Sequence, residues 1–355
     1  MNNRENYTRE MQVRERIRGV LQNETVRTFM AGVRSVMQNR GVSNANYLVP
    51  TEFLPIIREN IAQYSALLKH VNVRRLSGDG KQTVLGTIPE AVWTENTGKI
   101  NELTLSAAQI SVAANKVAGF IPVANSYLED ADENLAAVVL DSIAQGIGFA
   151  LDKAILYGTG RNMPVGIMTR LAATEAPSWW QSTAPAFANL SASNIGKAST
   201  AGLEGEELYK EMAKTLGKAK PKYGTGSGKF WAMSGATWTQ LQVELLTINA
   251  AGAIVTGAQQ TMPIIGGAVE VIENIIEDGV VIGGYGSQYL LAERGAVELA
   301  QSEHARFTDD ETLFRGKARY DGAPVAGEGF AAFSLSTTAP ATTKTFAEDK
   351  ANAAG

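Results

Sequence analysis

Apolar residues between positions 135 and 155 recur every four residues, which is the spacing of one face of an α-helix. The stripe consists of Leu135, Val139, Ile143, Ile147, Leu151 and Ile155. Asp132 precedes the stripe as a candidate N-cap, and Gly158 and Gly160 follow it as residues that can end a helix. The pattern predicts a helix of about 25 residues, roughly 37 Å long. Because helices of this length are uncommon in globular domains, we expect other elements to pack on it.

Alternating apolar and polar residues before this helix predict a long β-ribbon over residues 73–123. One strand covers residues 83–88, and the returning strand has apolar residues at Leu103, Leu105, Ile110, Val112 and Ala114. The polar segment between them contains Trp93, which suits either a half-buried strand position or a contact with another copy. A two-stranded ribbon is only marginally stable alone. We therefore expect its faces to be covered by other copies of the chain.

Segments with helix and strand patterns alternate over residues 203–295 and predict a small α/β unit. Helices are expected at 204–216 and from Trp238 onward, and strands at 230–233, 268–272 and 280–282. Further strands are expected at 297–299, 312–320 and 330–335. In the second of these, one face carries Phe314, Ala318 and Tyr320 and the other carries Arg315, Lys317 and Arg319.

Charge is distributed unevenly along the 355 residues, whose net charge is −4. Residues 1–41 are predicted to be helical and contain eight arginines, no lysine and four glutamates, so their charge is +4 and that of the remainder is −8. The segment is too charged for a signal peptide, and no apolar run in the sequence approaches the length of a membrane span. The absence of cysteine excludes disulfides and thiolate metal sites.

Several motifs around the predicted long helix resemble those of one protein family when they are taken in order. They are Ile121-Pro122-Val123, Leu128-Glu129-Asp130, the helix end Ala154-Ile155-Leu156, Gly158-Thr159-Gly160 and Pro164-Val165-Gly166-Ile167. In this order they are similar to the major capsid proteins of tailed phages. Upstream, Leu48-Val49-Pro50 followed by an amphipathic segment fits the same family. The resemblance covers residues 47–335 and implies the Hong Kong 97-type fold, in which the long helix is the spine.

This resemblance implies an α+β protein with five parts. They are an N-terminal helical arm (1–46), a peripheral domain with the spine helix (47–72, 119–168 and 296–336), an extended β-ribbon loop (73–118), an axial domain region (169–295) and a mobile C-terminal tail (337–355). In this family the chain before the fold is an arm or a removable assembly segment. The family offers no counterpart for the tail.

The function implied is that of a shell subunit, a structural protein of the virion without enzymatic activity or cofactor. Copies would assemble as hexamers and pentamers into an icosahedral head that encloses double-stranded DNA, with a portal and a scaffolding protein or maturation protease as partners and no membrane. We expect Trp93, Glu95, Lys99 and Glu102 of the extended loop to contact a neighbouring copy. Two alternatives stay open, an encapsulin-type bacterial compartment and a soluble enzyme with a glycine-rich loop.

Motifs that suggest chemistry favour simpler interpretations. Residues 224–229 end in Gly-Lys, but a phosphate-binding loop needs glycine where Tyr223 stands and serine or threonine where Phe230 stands. The acidic run 309–311 could hold a divalent cation, but it is more typical of a solvated loop between strands. The two histidines, His70 and His304, have no nucleophile motif near them.

Some members of the family link neighbouring subunits by an isopeptide bond between a lysine of the extended loop and an asparagine of the peripheral domain. Lys99 matches the lysine, but residues 303–335 contain no asparagine. Asp310 could accept the lysine only if it were protonated and desolvated. We therefore predict that Lys99 makes only non-covalent contacts.

Overall fold

A computed structural model of the chain describes residues 64–76, 80–85, 93–94, 99, 102, 107–112, 115–126, 135–177, 187–221, 228–248, 260–295 and 297–349. The strands are β1 (Asn72–Leu76), β2 (Gly80–Leu85), β3 (Ala107–Val112), β4 (Asn115–Ala124), β5 (Ile195–Lys197), β6 (Lys229–Met233), β7 (Ala268–Val271), β8 (Val280–Tyr285), β9 (Tyr289–Arg294), β10 (Glu298–Arg306), β11 (Glu311–Pro324) and β12 (Phe330–Ser334). The helices are α1 (Leu135–Tyr157), α2 (Ile167–Ala172), α3 (Gly205–Leu216) and α4 (Gly235–Ile248). The predicted N-terminal arm lies outside the described residues.

The chain divides into two compact units. The first unit comprises residues 1–65, 116–151 and 295–319, and the second comprises residues 66–115, 152–294 and 320–355. Helix α1 and strand β11 are continuous elements whose residues are shared between the two units. Among the described residues, no helix is both long enough and apolar enough to span a membrane.

Helix α1 has 23 residues, close to the length that the apolar stripe predicts. Five of the six stripe residues are buried, and the side chain of the sixth, Leu135, lies outside the described residues. Val138 and Phe149 lie off the stripe and are exposed. The helix therefore has one buried apolar face, and this face is the one that the four-residue spacing predicts.

In the first unit, β10 and the first half of β11 form an antiparallel hairpin. Glu298 pairs with Lys317, and the register shifts between Ser302 and Arg306 before the chain turns. The inward residues Phe314 and Ala318 are buried, as the two-residue period of the strand predicts. The turn is a short 3-10 segment over Phe307–Asp309.

The second unit contains a five-stranded sheet with strand order β5-β12-β8-β6-β7. One face carries a core to which α3 and α4 contribute. Its buried members are Ala198, Leu208, Tyr209, Met212, Leu216, Ala219, Trp231, Met233, Leu241, Leu245, Met262, Val269, Val281, Ala331 and Phe333. The short parallel pair β6–β7 and the helices around it agree with the α/β unit that the sequence predicts.

Strand β12 lies in the α/β sheet, although the expected domain bounds place it in the peripheral domain (296–336). In the structure it pairs in parallel with β5 and antiparallel with β8. All five of its residues are buried. Phe330-Ala331-Ala332-Phe333 is apolar at every position, which suits a central strand covered on both faces better than an edge beside a helix.

Strand β9, which the sequence analysis did not predict, belongs to a second group of strands in the second unit. It pairs in parallel with β1, where Asn72 faces Leu290, and antiparallel with the end of β11, where Pro324 faces Tyr289. Its first five residues are buried. The run Tyr289-Leu290-Leu291-Ala292 lacks the alternation that marks a half-exposed strand, so its pattern alone does not separate a strand from a buried helix segment.

The glycines after α1 allow the chain to fold back closely on itself. The amide of Gly166 donates to the carbonyl of Gly158 over 2.8 Å, and Thr159 forms a bridge with Val165. A Cβ atom at Gly158 would overlap the carbonyl oxygen of Pro164, and one at Gly166 would overlap the backbone of Gly158. Two of the motifs that carried the resemblance, the ones that contain Gly158 and Gly166, therefore have a steric reason to contain glycine.

The C-terminal tail has no helix or strand between residues 337 and 349, but it makes defined contacts within the second unit. Lys344 forms an ion pair with Glu277 at 2.7 Å. Lys153 donates to the carbonyl of Thr345 and lies 5.0 Å from the ring centroid of Phe346. The mobility expected for this tail stays a prediction, and these contacts hold at least part of it against folded elements.

Candidate assembly surfaces

The extended ribbon contains a two-stranded antiparallel sheet. Strands β2 and β3 pair from Gly80–Val112 at one end to Leu85–Ala107 at the other. Beyond the paired region, the side chain of Trp93 is fully exposed, and Lys99 and Glu102 are also exposed. Glu95 lies outside the described residues. A fully exposed tryptophan carries a large apolar area that contact with another molecule can bury.

A second surface is the turn of the β10–β11 hairpin in the first unit. Phe307 is 81% exposed, and Asp309 and Asp310 beside it are exposed as well. The acidic run thus lies at an exposed turn between strands, as the sequence analysis favoured. Phe307 was not singled out, although an aromatic residue within the polar segment Arg306-Phe307-Thr308-Asp309 is a usable signal.

Asn125 holds the hairpin turn in place. Its amide N–H donates to the carbonyl of Asp310 over 2.9 Å, and its Nδ2 donates to Oδ1 of the same residue over 2.7 Å. The hydroxyl of Thr312 in turn donates to Oδ1 of Asn125. Asp310 has a left-handed backbone with φ of 54°, a conformation that aspartate tolerates better than most residues. The turn is therefore defined by hydrogen bonds from outside the hairpin.

Ion pairs lie along the same hairpin. Lys317 Nζ is 2.5 Å from Glu298 Oε2, and Arg306 is 2.8 Å from Glu311. The hydrogen bond from Lys317, aided by Arg319 and other nearby cations, holds the pKa of Glu298 below its usual value. The exposed face of β11 is thus cationic enough to influence a neighbouring carboxylate.

A third exposed point is the loop from Thr261 to Gly267 in the second unit. Its Ile264 is 72% exposed and has a φ of 68°, which is strained for a β-branched residue. Lys229 Nζ donates to the carbonyl of Ile265, and Trp231 Nε1 donates to the carbonyl of Gly266 over 2.8 Å. Hydrogen bonds from Lys229 and Trp231 therefore hold this loop, while the side chain of Ile264 is exposed.

Two acidic groups, the buried Asp152 and the partly buried Glu270, have structural partners. Asp152, which lies on α1 but is not one of the stripe residues, is 3% exposed and accepts the backbone N–H groups of Ala66 and Leu67 at 2.9 and 3.2 Å. Glu270 Oε1 lies 2.8 Å from Nε2 of His70 and 2.8 Å from Nζ of Lys69. Neither group was predicted from the sequence, because their partners lie far away along the chain.

Lys229 and His70, which belong to segments considered for chemistry in the sequence, make structural contacts. Lys229, at the end of the glycine-rich stretch, donates to a backbone carbonyl, and burial lowers its pKa. His70 stacks on Phe230 with ring centroids 5.1 Å apart. Among the described residues, no group of three or more histidine, aspartate or glutamate side chains is placed to hold a metal ion.

The family model of the phage capsid family matches residues 45–335, which is most of the chain. The chain belongs to the phage capsid family. The resemblance drawn from the motifs after the ribbon is thereby confirmed, and the matched range begins and ends close to the predicted 47–335. The capsid subunit gives no significant match among curated protein sequences.

Solved structures confirm the Hong Kong 97-like, mixed α and β fold of the capsid subunit. A chain of Mycobacterium phage Bobi matches with a TM-score of 0.54 at 16% identity, covering 77% of this chain and 91% of that one. The capsid of a native GTA particle, computed with C5 symmetry, matches with a TM-score of 0.54 at 14% identity over 84% and 95%. The procapsid of satellite phage P4, which includes a size determination protein, matches with a TM-score of 0.53 at 10% identity. This match covers 88% of this chain and 98% of that one.

Family and fold together identify the product of assembly. The capsid subunit is a major capsid protein, its copies form an icosahedral shell, and it is a structural component of the virion.

Proposed function

We propose that this major capsid protein assembles as hexamers and pentamers into a phage head that encloses double-stranded DNA, and that its extended ribbon lies on a neighbouring copy. Trp93, Glu95, Lys99 and Glu102 are the contact residues of the ribbon. The observation that carries the ribbon's role is the full exposure of Trp93 beyond an isolated two-stranded sheet.

A neighbouring copy is expected to stabilise the ribbon, because the apolar contact it adds offsets the conformational entropy that the ribbon loses on ordering. Holding an extended two-stranded segment in one conformation costs backbone entropy that its own hydrogen bonds hardly repay. A neighbour that buries the indole of Trp93 adds apolar contact, and aromatic residues of this kind dominate interface energies. In a closed shell every copy both gives and receives such a contact.

The net charge of −4 is consistent with enclosure of DNA without tight binding. A shell with a strongly basic interior would bind phosphate through counterion release and would slow the movement of the genome during filling. We expect filling through a portal, and a scaffolding protein or maturation protease as assembly partner. The shell role requires no catalytic residue and no cofactor of the subunit.

Electron microscopy of the purified full chain tests the proposal directly. We expect closed shells, and nucleic acid in particles isolated from an infected host. Shells that contain a protein cargo and no nucleic acid would support the encapsulin-type alternative. A small oligomer that binds nucleotide would contradict the capsid role and support the enzyme.

Deletion of residues 91–102 tests the ribbon. The variant is expected to keep the circular dichroism spectrum of the folded subunit but to sediment as small species, because the deleted residues contribute contacts only between copies. Trp93→Ala is expected to reduce shell yield in the same direction, whereas Thr94→Ala, at the adjacent exposed position, is the matched control. Loss of folding would place the segment in the core of the subunit, and unchanged shells would remove it from assembly.

A further inference from the structure

Among the described side chains of the β10–β11 hairpin, the charges that lie outside ion pairs are separated by sign. Two ion pairs, Glu298–Lys317 and Arg306–Glu311, neutralise four of its charged side chains. What remains on the described hairpin is an acidic turn with Asp309 and Asp310 and a basic strand face with two arginines. These arginines are Arg315, which is exposed, and Arg319, which is partly exposed.

The acidic turn and the basic face are too far apart to neutralise each other within one copy. Asp310 and Arg315 are five positions apart in sequence, which corresponds to about 16 Å along an extended strand. The Debye length at physiological ionic strength is about 8 Å, so exposed charges at this separation are largely screened from each other. Neither Arg315 nor Arg319 forms an ion pair with any residue that the structure describes. Both ends of the hairpin therefore remain open to charged partners outside the subunit.

The acidic end also has an apolar residue and a fixed shape. Phe307 is 81% exposed in the same turn. Asn125 fixes Asp310 with two hydrogen bonds, so that less conformational entropy remains to be lost when a partner binds. An exposed aromatic ring beside carboxylates on a fixed turn has the composition of an interface anchor with a polar rim.

We propose that this hairpin joins copies of the chain, with the turn Phe307–Asp310 of one copy lying on the Arg315 and Arg319 face of a second copy. The inference rests on the proposed self-assembly. Each copy carries both charge signs on one element, so a second copy supplies the complement of each. Such a contact brings opposite charges together and buries Phe307. An arrangement that places turn on turn, or arginine face on arginine face, brings like charges together.

Nucleic acid is the other polyanion that could meet the basic face, and the hairpin argues against it. DNA phosphates would attract Arg315 and Arg319 but would repel the carboxylates of the turn, which belongs to the same element. Contact with DNA also leaves the exposed ring of Phe307 without a role. A second copy uses all three features together.

Charge reversal separates these possibilities. Arg315→Glu and Asp309→Lys are each expected to lower the yield of shells at least about tenfold, because each places like charges in contact at every repeat of the interface. The double variant Arg315→Glu/Asp309→Lys restores opposite charges and is expected to recover most of the yield. Shell yield is measured by sedimentation and electron microscopy of the full chain.

Lys317→Gln is the matched control for the basic face, because its ammonium group already pairs with Glu298 within the subunit. It is expected to change shell yield less than twofold, the size of effect usual for an exposed pair. Phe307→Ser is a second test that involves no charge, and it is expected to lower the yield while the spectrum of the folded subunit is unchanged.

The outcomes distinguish this contact from the proposed function. If the unmodified chain forms no shells, the assembly role itself fails and the contact fails with it. If the unmodified chain and both single reversals form shells equally well, assembly stands and the hairpin contact is wrong. If Arg315→Glu lowers only the DNA retained in normal shells, and Asp309→Lys does not restore it, the arginines face nucleic acid and the proposal is overturned.

Discussion

Replacement of Asp152 gives the sharpest test of how the long helix supports the fold. The side chain projects from α1, is 3% exposed and accepts two backbone N–H groups, from Ala66 at 2.9 Å and from Leu67 at 3.2 Å. It acts as an N-cap supplied from a distant part of the sequence, because it satisfies amides at the start of a turn in which His70 N–H donates to the carbonyl of Leu67.

The expected magnitude follows from these two bonds. A hydrogen bond to a charged group contributes about 1.5–3 kcal/mol, and a buried donor that loses its partner adds its own desolvation penalty. Contributions of neighbouring bonds are not fully additive. We therefore expect Asp152→Ala to lower the free energy of unfolding by about 3–4 kcal/mol. Asp152→Asn keeps one acceptor oxygen and is expected to lower it by about half as much.

Urea unfolding of unassembled subunits, followed by circular dichroism, measures the difference, since contacts between copies would otherwise add to apparent stability. Asp141→Ala on the same helix is the control, because its bonds from Tyr64 and Gln145 lie at an exposed position. Its expected effect is below about 1 kcal/mol. If Asp152→Ala is as mild as this control, the buried cap does not contribute to stability and the reasoning fails.

Three further predictions concern packing, covalent chemistry and pH. Val139→Asp places an unpaired charge at a buried position of α1, which costs about 3–5 kcal/mol. Sedimentation should then show no soluble assembled particles, and normal particles would contradict the burial of Val139. Mature particles boiled in detergent should run as one band at the monomer mass, and a ladder abolished by Lys99→Ala would contradict non-covalent contacts. Burial raises the pKa of Glu270, but hydrogen bonds from His70 and Lys69 outweigh it and hold the pKa below its usual value. The stability that Glu270 contributes is thus present above about pH 4.5 and lost as pH falls through its pKa. Thermal melting should show Glu270→Gln less stable than the unmodified chain near pH 7, with the gap closing in acid.

Local patterns were sufficient for elements that are defined by their own sequence. The stripe from Val139 to Ile155 predicted α1 nearly to its last residue, because a four-residue apolar spacing has one simple helical interpretation. The alternation in β11 separated buried Phe314 from outward Arg315 for the same reason. Motif order identified the family, since the glycines of the turn after α1 are required by a close backbone approach.

The remaining features depend on contacts between distant parts of the chain. Strand β12 is apolar on both faces, but nothing within it tells which sheet it joins, and its partners β5 and β8 lie far away in sequence. Asp152 looks like a surface residue until the amide groups of Ala66 and Leu67 are placed beside it. The acidic turn was expected to be exposed, but the hydrogen bond that fixes Asp310 comes from Asn125, 185 residues away in sequence, and no local pattern shows it.

The three most exposed large apolar side chains among the described residues belong to three different elements. Trp93 lies in the ribbon, Phe307 in the hairpin turn and Ile264 in the loop from Thr261 to Gly267. A single large apolar patch would promote non-specific association, whereas small separate ones are tolerated on a soluble surface. In the proposed assembly, a contact between copies at one exposed apolar residue is weak by itself, and several contacts made at once gain from effective concentration. Stable addition of a copy to such a shell requires the correct orientation, because a wrongly oriented copy makes fewer of these contacts than a correctly oriented one.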